Sequence, residues 1–532
     1  MKEEPSGIDG VIKQLGPFGK HNILNYALLL FPCYLAGMYG SVYNFEALDL
    51  SYRCEVPECE SINTSIWIDH AIPKDGADYS KCRRYQISNI TNDVCSLDAF
   101  DVTVTQECSK YVYSGEDSIV KDFDLGCQNW KRTLIGTIHN AGLFASLPLT
   151  GLISDKFGRK VALPLASLMN GICGVARSFS TSYLMLAVLE FAEAALGGGA
   201  YVSAFVLAME LVLPNGRVFG NTLINFAYIS GLMTLAGLAW SLQNWRYMLR
   251  IMYIPALFVL SYLIILNESP RWLLSKGKHE KAIKIIRKAA KMNNVVITEQ
   301  TLNSLKNIDD KKPTSNMSRA VFIKLLKSRE IRKRVLVCSY MWITCTFVYY
   351  GLSINSVSLA GNRYVNFMLV AFVEMPANVV CYLILDKFGR KRILILTYML
   401  SAILCIGLSF LPKGDHIWPL LLFLCGKFSI TIAYSSVYIY VSELFPTNFR
   451  QFLVAICSCT GRVGSTLAPL TPLLALYYEN LPAIFFGCLA FVASVLVFTM
   501  PETLNVSLPD SIEEAERISR LKENEKKKMD VI

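Results

Sequence analysis

Two residues of opposite charge stand deep inside apolar runs: Glu374 in Val373-Glu374-Met375-Pro376-Ala377 and Arg462 in Gly461-Arg462-Val463-Gly464-Ser465. Each lies about ten residues into its run, which at a rise of about 1.5 Å per residue is roughly 16 Å deep, near a bilayer midplane. A charge at that depth costs about 2.5 to 3.5 kcal/mol on insertion scales and is kept where it faces a cavity or a partner. Either the two bridge each other, or they hold the charged groups of a ligand. Leu189-Glu190-Phe191-Ala192-Glu193 puts two further acids in one run. At i and i+3 they share a helix face, where they take up a proton or cation or pair with a neighbouring Arg or His. Trp342 and Tyr349, seven apart, lie two turns along one face. Aromatic faces hold flat organic ions by stacking and quaternary ammonium by cation–π attraction.

A second constellation occurs twice. Asp155-Lys156-Phe157-Gly158-Arg159-Lys160 follows the second apolar run and Asp386-Lys387-Phe388-Gly389-Arg390-Lys391 the eighth. Tyr201 to Arg217, holding Glu210, corresponds to Tyr434 to Arg450, holding Glu443; the Asp-to-Glu spacings are 55 and 57. Each half then closes on an acidic motif, Glu268-Ser269-Pro270-Arg271 or Pro501-Glu502-Thr503. Self-similarity at this scale implies a duplicated unit. Gly serves the tight turn, while Asp155, Arg159, Asp386 and Arg390 pair with helix ends to latch one side of the molecule shut; parallel repeats that rock place a substrate between them. Anchoring by positive charge accounts for Lys160 and Lys391, but not for the recurrent Asp and Gly.

These residues need long helices to carry them. The chain has 532 residues, 53% hydrophobic and 18% charged, with mean hydropathy +0.37; soluble domains carry about 25% charge. A soluble enzyme, a disordered chain and a small disulfide scaffold are all excluded. Twelve runs approach the roughly 20 residues that cross a bilayer, near 22–44, 133–153, 161–179, 183–208, 218–240, 247–266, 332–353, 363–384, 392–411, 417–441, 452–475 and 482–500. The expected architecture is an all-α membrane protein of two six-helix halves: 1–21 an inner N-terminus, 45–132 an outer loop, 133–270 helices 2–6, 271–331 an inner linker, 332–500 helices 7–12 and 501–532 an inner tail. Basic segments around 155–160, 276–291, 324–334 and 386–392 fall on one side, which predicts cytoplasmic termini. The first 20 residues offer no signal-peptide apolar run. In the linker, Ala282, Ile283, Ile285, Ile286 and Ala289 among basic residues suggest a helix lying on the inner membrane face.

Residues 46–130 hold sixteen acidic and seven basic side chains, so the rest carries +19 of the net +10. A basic cytoplasmic face meeting anionic lipid explains that excess without nucleic acid. The outer loop contains Cys54, Cys59, Cys82, Cys95, Cys108 and Cys127; an even cluster in an exterior segment implies disulfides, with fifteen pairings open. Zinc is disfavoured by the spacings and by His70 being the loop's lone histidine. Sequons at Asn63 and Asn89 predict glycosylation there, whereas those at Asn316 and Asn505 face the cytoplasm and stay silent. The other ten cysteines read as packing residues.

With these motifs in hand, the chain resembles the major facilitator superfamily and, within it, the organic ion transporters of solute carrier family 22. The likeness rests on the cysteine loop, the two DKFGRK segments, Asn267-Glu268-Ser269-Pro270-Arg271-Trp272, Tyr349-Tyr350-Gly351-Leu352, Glu443-Leu444-Phe445-Pro446-Thr447 and Pro501-Glu502-Thr503. It implies a plasma-membrane carrier working by alternating access, with Gly158, Arg217, Gly389 and Arg450 joining the gating set. The resemblance places Tyr201, Tyr228, Trp342, Tyr349, Tyr350, Tyr434 and Tyr438 around the pocket. The position of Arg462 tends to be basic in the family's anion and carnitine carriers and acidic in its cation carriers; that of Glu374 is acidic in cation-handling members. A carboxylate- or sulfate-bearing substrate is expected, a carnitine-like zwitterion satisfying both charges. Glu190 stands where the family commonly has Arg, so the coupling mechanism does not carry over.

The expected partners are small organic ions, a coupling ion (Na⁺, H⁺ or a counter-anion) and lipid, with no cofactor, no metal and no nucleic acid. No catalytic arrangement appears: His139 has no metal-spaced partner and Gly197-Gly198-Gly199 lacks a phosphate-loop lysine, so helix packing suffices for it. The rival readings are an organic cation carrier, a sugar carrier and a non-transporting receptor on the same scaffold. A channel is disfavoured because no run shows a filter or voltage-sensor pattern.

Overall fold

The structure is a computed structural model. It describes residues 8–15, 19–61, 64–75, 78–87, 95, 99–212, 217–297, 302, 305, 328–412, 417–446, 449–504, 509, 514 and 516, without the side chains of 8, 9, 12, 13, 64–66, 75, 78, 217, 218 and 451. Asn63, Asn89, Asn316 and Asn505 lie outside the described residues.

Twelve long helical rods dominate. They are α1 (Lys20–Tyr39), α2 (Asn129–Phe157), α3 (Arg159–Arg177), α4 (Tyr183–Gly197 continued by Gly199–Leu211), α5 (Arg217–Leu242), α6 (Trp245–Phe258), α7 (Arg329–Asn355), α8 (Arg363–Phe372 continued by Glu374–Phe388), α9 (Arg390–Gly407), α10 (Ile417–Leu444), α11 (Arg450–Leu467) and α12 (Leu481–Phe498). Among the described residues, ten helical stretches are long and apolar enough to cross a membrane, α2 and α3 being outside that set. The protein is a multi-pass membrane protein, and helices are the form in which a backbone satisfies its own hydrogen bonds in lipid. Polar caps start several rods: Ser182 accepts from Met185 N, Ser328 from Ile331 N, and Asn362 from Tyr364 N and Val365 N. Large side chains such as Ile264, Phe410 and Leu336 remain exposed, as suits a lipid-facing surface.

Neighbour pairs recur with an offset of six: α1 packs on α5 as α7 on α11, α3 on α6 as α9 on α12, and α2 on α4 as α8 on α10. The two halves meet mainly through α5 against α8 and α2 against α11. Close crossings use glycine. A Cβ on Gly197 or Gly199 would stand 1.7 Å from Asn170 Oδ1 or 2.0 Å from Thr150 Oγ1, so the triple glycine lets α4 lie against α2 and α3.

The segment between α1 and α2 departs from the all-α expectation. Among its described residues are three two-stranded antiparallel sheets, β1 (Ser51–Cys54) with β6 (Tyr111–Ser114), β2 (Lys74–Asp75) with β3 (Asp78–Tyr79), and β4 (Arg83–Ile87) with β5 (Phe100–Glu107), plus a helix at Thr64–Ala71. Val102, Thr103 and Val104 show why: short β-branched stretches outside the bilayer favour pairing over helix. The six cysteines pair as Cys54–Cys108, Cys59–Cys95 and Cys82–Cys127, around a small core of Val56, Trp67, Ile72 and Phe100. Such a unit is too small to bury much apolar surface, so the cross-links substitute for core.

The linker helix His279–Asn293 also departs from expectation. Ile283, Ile286, Ala289 and Ala290 pack with Val11 and Leu15 of the helix Ile8–Leu15 and with Leu302 and Leu305. Its apolar face therefore covers protein rather than lipid, because an apolar partner within the chain satisfies the same face without a membrane surface.

Candidate functional site

The two Asp-Lys-Phe-Gly-Arg-Lys turns are built alike. Gly158 and Gly389 have φ of +98° and +91°, a region that side chains other than glycine's rarely adopt. Each glycine also lies under a carboxylate: a Cβ would meet Glu268 Oε2 at 2.0 Å and Glu502 Oε2 at 2.7 Å. Those carboxylates cap the next helix. Glu268 accepts from the backbone N–H of Arg159 (3.2 Å) and Lys160 (3.2 Å), and Glu502 from Arg390 (3.0 Å) and Lys391 (3.3 Å), where the helix dipole favours an anion. Burial pushes the Glu268 carboxyl above its ordinary range, opposed by those N–H groups. Arg159 then reaches Asp155 (3.1 Å) and Glu210 (3.3 Å), as Arg390 reaches Asp386 (2.8 Å) and Glu443 (3.2 Å). All these pairs lie within one half. Arg450 makes no ion pair among the described residues, its Nε and Nη2 buried without hydrogen bonds, and the side chain of Arg217 lies outside them. The recurrent acids 268 and 502 carried the signal for the caps, but a role for them requires the fold.

Around Arg462, local sequence explains the placement. Gly461 and Gly464 flank it, and a Cβ on Gly464 would lie 2.4 Å from Ile343 O, so α11 presses directly on α7; Thr346 Oγ1 donates to Gly461 O at 2.6 Å across that contact. Arg462 has no carboxylate within ion-pair reach among the described residues. Tyr350, Tyr434, Tyr438 and, from the other half, Tyr228 lie near it. Glu374 is differently placed. Its partners are Lys427 Nζ at 2.9 Å and Tyr349 OH at 2.6 Å. Lys427 is itself buried, donating to Tyr349 O (3.0 Å) and Ser353 Oγ (2.7 Å) and lying 3.3 Å over the Tyr349 ring. A salt bridge between Glu374 and Arg462 is therefore overturned: Lys427, a third charge in mid-helix, on α10, that sequence reasoning passed over, takes the carboxylate. Its signal was a lysine amid an apolar run.

The aromatics fall into two connected groups. Trp342, 1% exposed, meets Tyr434 (6.0 Å) and Tyr438 (4.2 Å) edge-on, and Tyr349 stacks on Tyr434 at 5.1 Å and meets Tyr350 edge-on at 5.2 Å. Tyr201 and Tyr228 of the first half meet edge-on at 5.8 Å. Tyr438 is 42% exposed, the most open ring of this set.

Glu190 and Glu193 do not join this group. They lie in the first half with Arg177, His139 and Glu46, all at most 1% exposed. Arg177 Nη1 donates to Glu190 and lies 3.8 Å from Glu193 Oε2, and its Nη2 is 3.3 Å from Glu46 Oε2. His139 Nδ1 stands 2.8 Å from Glu190 Oε1 and 3.6 Å from Glu193 Oε2. Pairing with a neighbouring Arg and His is thus present. Arg177, the last residue of α3, and Glu46 beyond α1 gave no sequence signal, because helix ends often carry charges.

A profile of the sugar (and other) transporter family matches residues 90–515. Solute carrier family 22 member 21 of Mus musculus is 32% identical, over 97% of this chain and 94% of its own length. Organic cation/carnitine transporter 2 of Rattus norvegicus is 32% identical over 97% and 95%, and solute carrier family 22 member 2 of Homo sapiens 32% over 90% and 87%. Among solved structures, the partially occluded, inward-open xylose transporter XylE of E. coli has a TM-score of 0.61, covering 91% of this chain and 98% of its own at 19% identity, a likeness of fold alone. Two like halves, repeated capped turns and near-complete coverage by these relatives agree: the chain belongs to the major facilitator superfamily and, within it, to solute carrier family 22.

Proposed function

We propose that this protein carries small organic ions across the plasma membrane by alternating access, with organic anions or zwitterions as its preferred substrates. The observation that carries the reading is the contrast between two mid-helix charges. Glu374 is paired with Lys427 and accepts a hydrogen bond from Tyr349 OH, whereas Arg462 lies among tyrosines and has no carboxylate within ion-pair reach among the described residues. A guanidinium without an internal anion is a ready bidentate partner for a substrate carboxylate or sulfate. Tyr350 and Tyr438 offer ring faces beside it, which suit the apolar or cationic remainder of the same molecule by stacking or cation–π attraction. A carnitine-like zwitterion would then place its ammonium on aromatic rings rather than on Glu374. The relatives' names, organic cation/carnitine transporter among them, support an organic ion substrate in general. The two halves rock about the pocket while each half keeps its own capped turn rigid.

The organic cation reading is the second, favoured by Glu374 itself: a cationic substrate would compete with Lys427 for the carboxylate. Uptake of labelled carnitine, an aromatic carboxylate, a quaternary ammonium and glucose in oocytes separates the two. Transport of the carboxylate or of carnitine, reduced selectively by Arg462→Gln, is the expected result. Transport of the quaternary ammonium alone, unaffected by Arg462→Gln, overturns the anion preference; transport of glucose alone overturns the organic ion reading. Silence of all four with surface expression intact favours a receptor on this scaffold.

A further inference from the structure

The buried charges of the first half do not balance. Glu46, Glu190 and Glu193 offer three carboxylates to one guanidinium, Arg177, and one imidazole, His139, with every residue at most 1% exposed. Even with His139 cationic, one carboxylate is left over. An uncompensated ion in a low-dielectric interior costs several kcal/mol, and such groups are neutralised instead. The hydrogen bonding points the same way: neither carboxylate oxygen of Glu46, nor Oε2 of Glu193, nor Nε2 of His139, all buried, has a hydrogen bond, Arg177 and His139 reaching the two acids only as ion pairs at 3.3 to 3.8 Å. The remaining groups that face the cluster are the hydroxyls of Tyr253, bonded to Arg177 at 3.2 Å, and of Tyr39, whose ring stacks on Tyr253 at 4.4 Å, with Tyr43 beside His139 and Cys173 near Glu193. None of these is a cation at neutral pH.

Two kinds of ligand could supply the missing positive charge. One imidazole nitrogen and one oxygen from each of Glu190 and Glu193 lie within 4.8 Å of one another, a spacing that a metal ion could bridge. Arg177 argues against the metal, because its guanidinium already lies along the Glu190 and Glu193 carboxylates and would repel a second cation held by them. A proton needs no coordination shell and binds a carboxylate oxygen without displacing the arginine.

The position of Glu46 gives such a proton a consequence. Glu46 ends the four-residue helix Tyr43–Glu46. One residue earlier, Phe45 stacks on Tyr364 at 5.6 Å and meets Phe367 edge-on at 5.1 Å, both on α8 of the other half. Tyr43 of the same turn lies with Pro469 against Gly136, where a Cβ would touch both at 2.8 Å. One short element therefore joins the charge cluster to the seam between the halves, on the side bearing the cysteine-rich segment.

We propose that Glu46, His139, Arg177, Glu190 and Glu193 form a proton-binding site that exchanges its proton when the halves part on that side, and that holds the Tyr43–Glu46 turn in place when loaded. Its role in a cycle rests on the transport reading; the bound proton does not. The test is infrared difference spectroscopy of the purified full-length protein in lipid, titrated from about pH 5 to 8. The expected result is a protonated-carboxyl C=O band that persists at neutral pH, shifts in D₂O, and is lost or displaced in Glu46→Gln and Glu193→Gln but kept in Glu280→Gln, a control at an exposed acid of the linker helix. Absence of the band from the wild-type protein overturns the proposal without any variant having to fold. A band indifferent to both substitutions also overturns it, as does a shift in thermal unfolding on adding Na⁺ or Mn²⁺ that the same substitutions abolish, since that marks a metal site. No substrate is needed, so a failed uptake panel leaves this proposal standing, and a missing band leaves the organic ion reading standing.

Discussion

The two halves share neighbours, turns and caps, yet their buried charges are arranged on different principles. In the second half Glu374 meets Lys427 one to one, with Tyr349 and Ser353 filling the remaining hydrogen bonds. In the first half three carboxylates crowd one guanidinium and one imidazole, and several of their buried atoms have no hydrogen bond. A balanced pair is a fixture, since either ion alone would be stranded. An unbalanced cluster is a receptor for charge, because its lowest-energy composition includes something that comes and goes. Duplication thus supplied one scaffold twice, and the chemistry diverged where side chains face inward rather than where the chain turns.

The comparison breaks most visibly at Lys427. Lys427→Met strands Glu374, and a loss of about 3 to 5 kcal/mol is expected, read as a large drop in the thermal unfolding midpoint of the purified protein. The double change Lys427→Met with Glu374→Met should recover most of that loss. If the single change is harmless, the second-half pair is no fixture and the contrast fails. Arg462→Gln should behave in the opposite way. It removes a cation with no carboxylate partner, so stability should hold while uptake of carboxylate-bearing substrates falls at least about tenfold, the equivalent of about 1.4 kcal/mol.

Smaller effects test what the halves have in common. Gly158→Ala and Gly389→Ala each force a side chain into positive φ beneath a carboxylate, at a cost of about 1 to 3 kcal/mol; similar losses in both halves sustain the symmetry, and a loss in one alone breaks it. Glu268→Gln and Glu502→Gln keep the shape of the cap but not its charge, and about 1 kcal/mol each is expected from thermal unfolding. The smallest effect lies in the segment between α1 and α2. Arg53 grips Glu60 at 2.6 Å and holds its carboxyl below the usual range. A depressed folded value means that the stabilisation is present above the ordinary carboxylate pKa and is lost as pH falls through the folded value. Hydrogen exchange of the peptide around residues 51–61 should therefore quicken only at acid pH, and Glu60→Gln should remove that dependence.

How much of this was legible depends on the range of the interaction. Apolar runs report spans because crossing lipid is a local requirement on about 20 consecutive residues. The repeated turns report duplication because copies can be aligned without knowing where they lie. Charged residues placed in mid-run, Glu374 and Arg462, announced themselves by their cost. By contrast Lys427 was passed over, and the Glu374–Arg462 bridge considered for these residues gave way to it, because the choice of partner among three mid-helix charges depends on helix rotation and crossing. The linker helix shows the same limit: its apolar face was plain, and the surface it covers was not.

By itself, then, the sequence determined a membrane protein of two like halves, with a cysteine-bearing segment after the first apolar run and aromatic and charged residues in mid-run, since composition, periodicity and repetition are properties of neighbours along the chain. The tertiary structure decided which cysteines join, that Glu268 and Glu502 cap the repeated turns, that Lys427 neutralises Glu374, and that Glu46 and Arg177 meet Glu190, Glu193 and His139. Those pairings span tens to more than a hundred residues, and only the packing of whole helices brings such partners within a few ångströms.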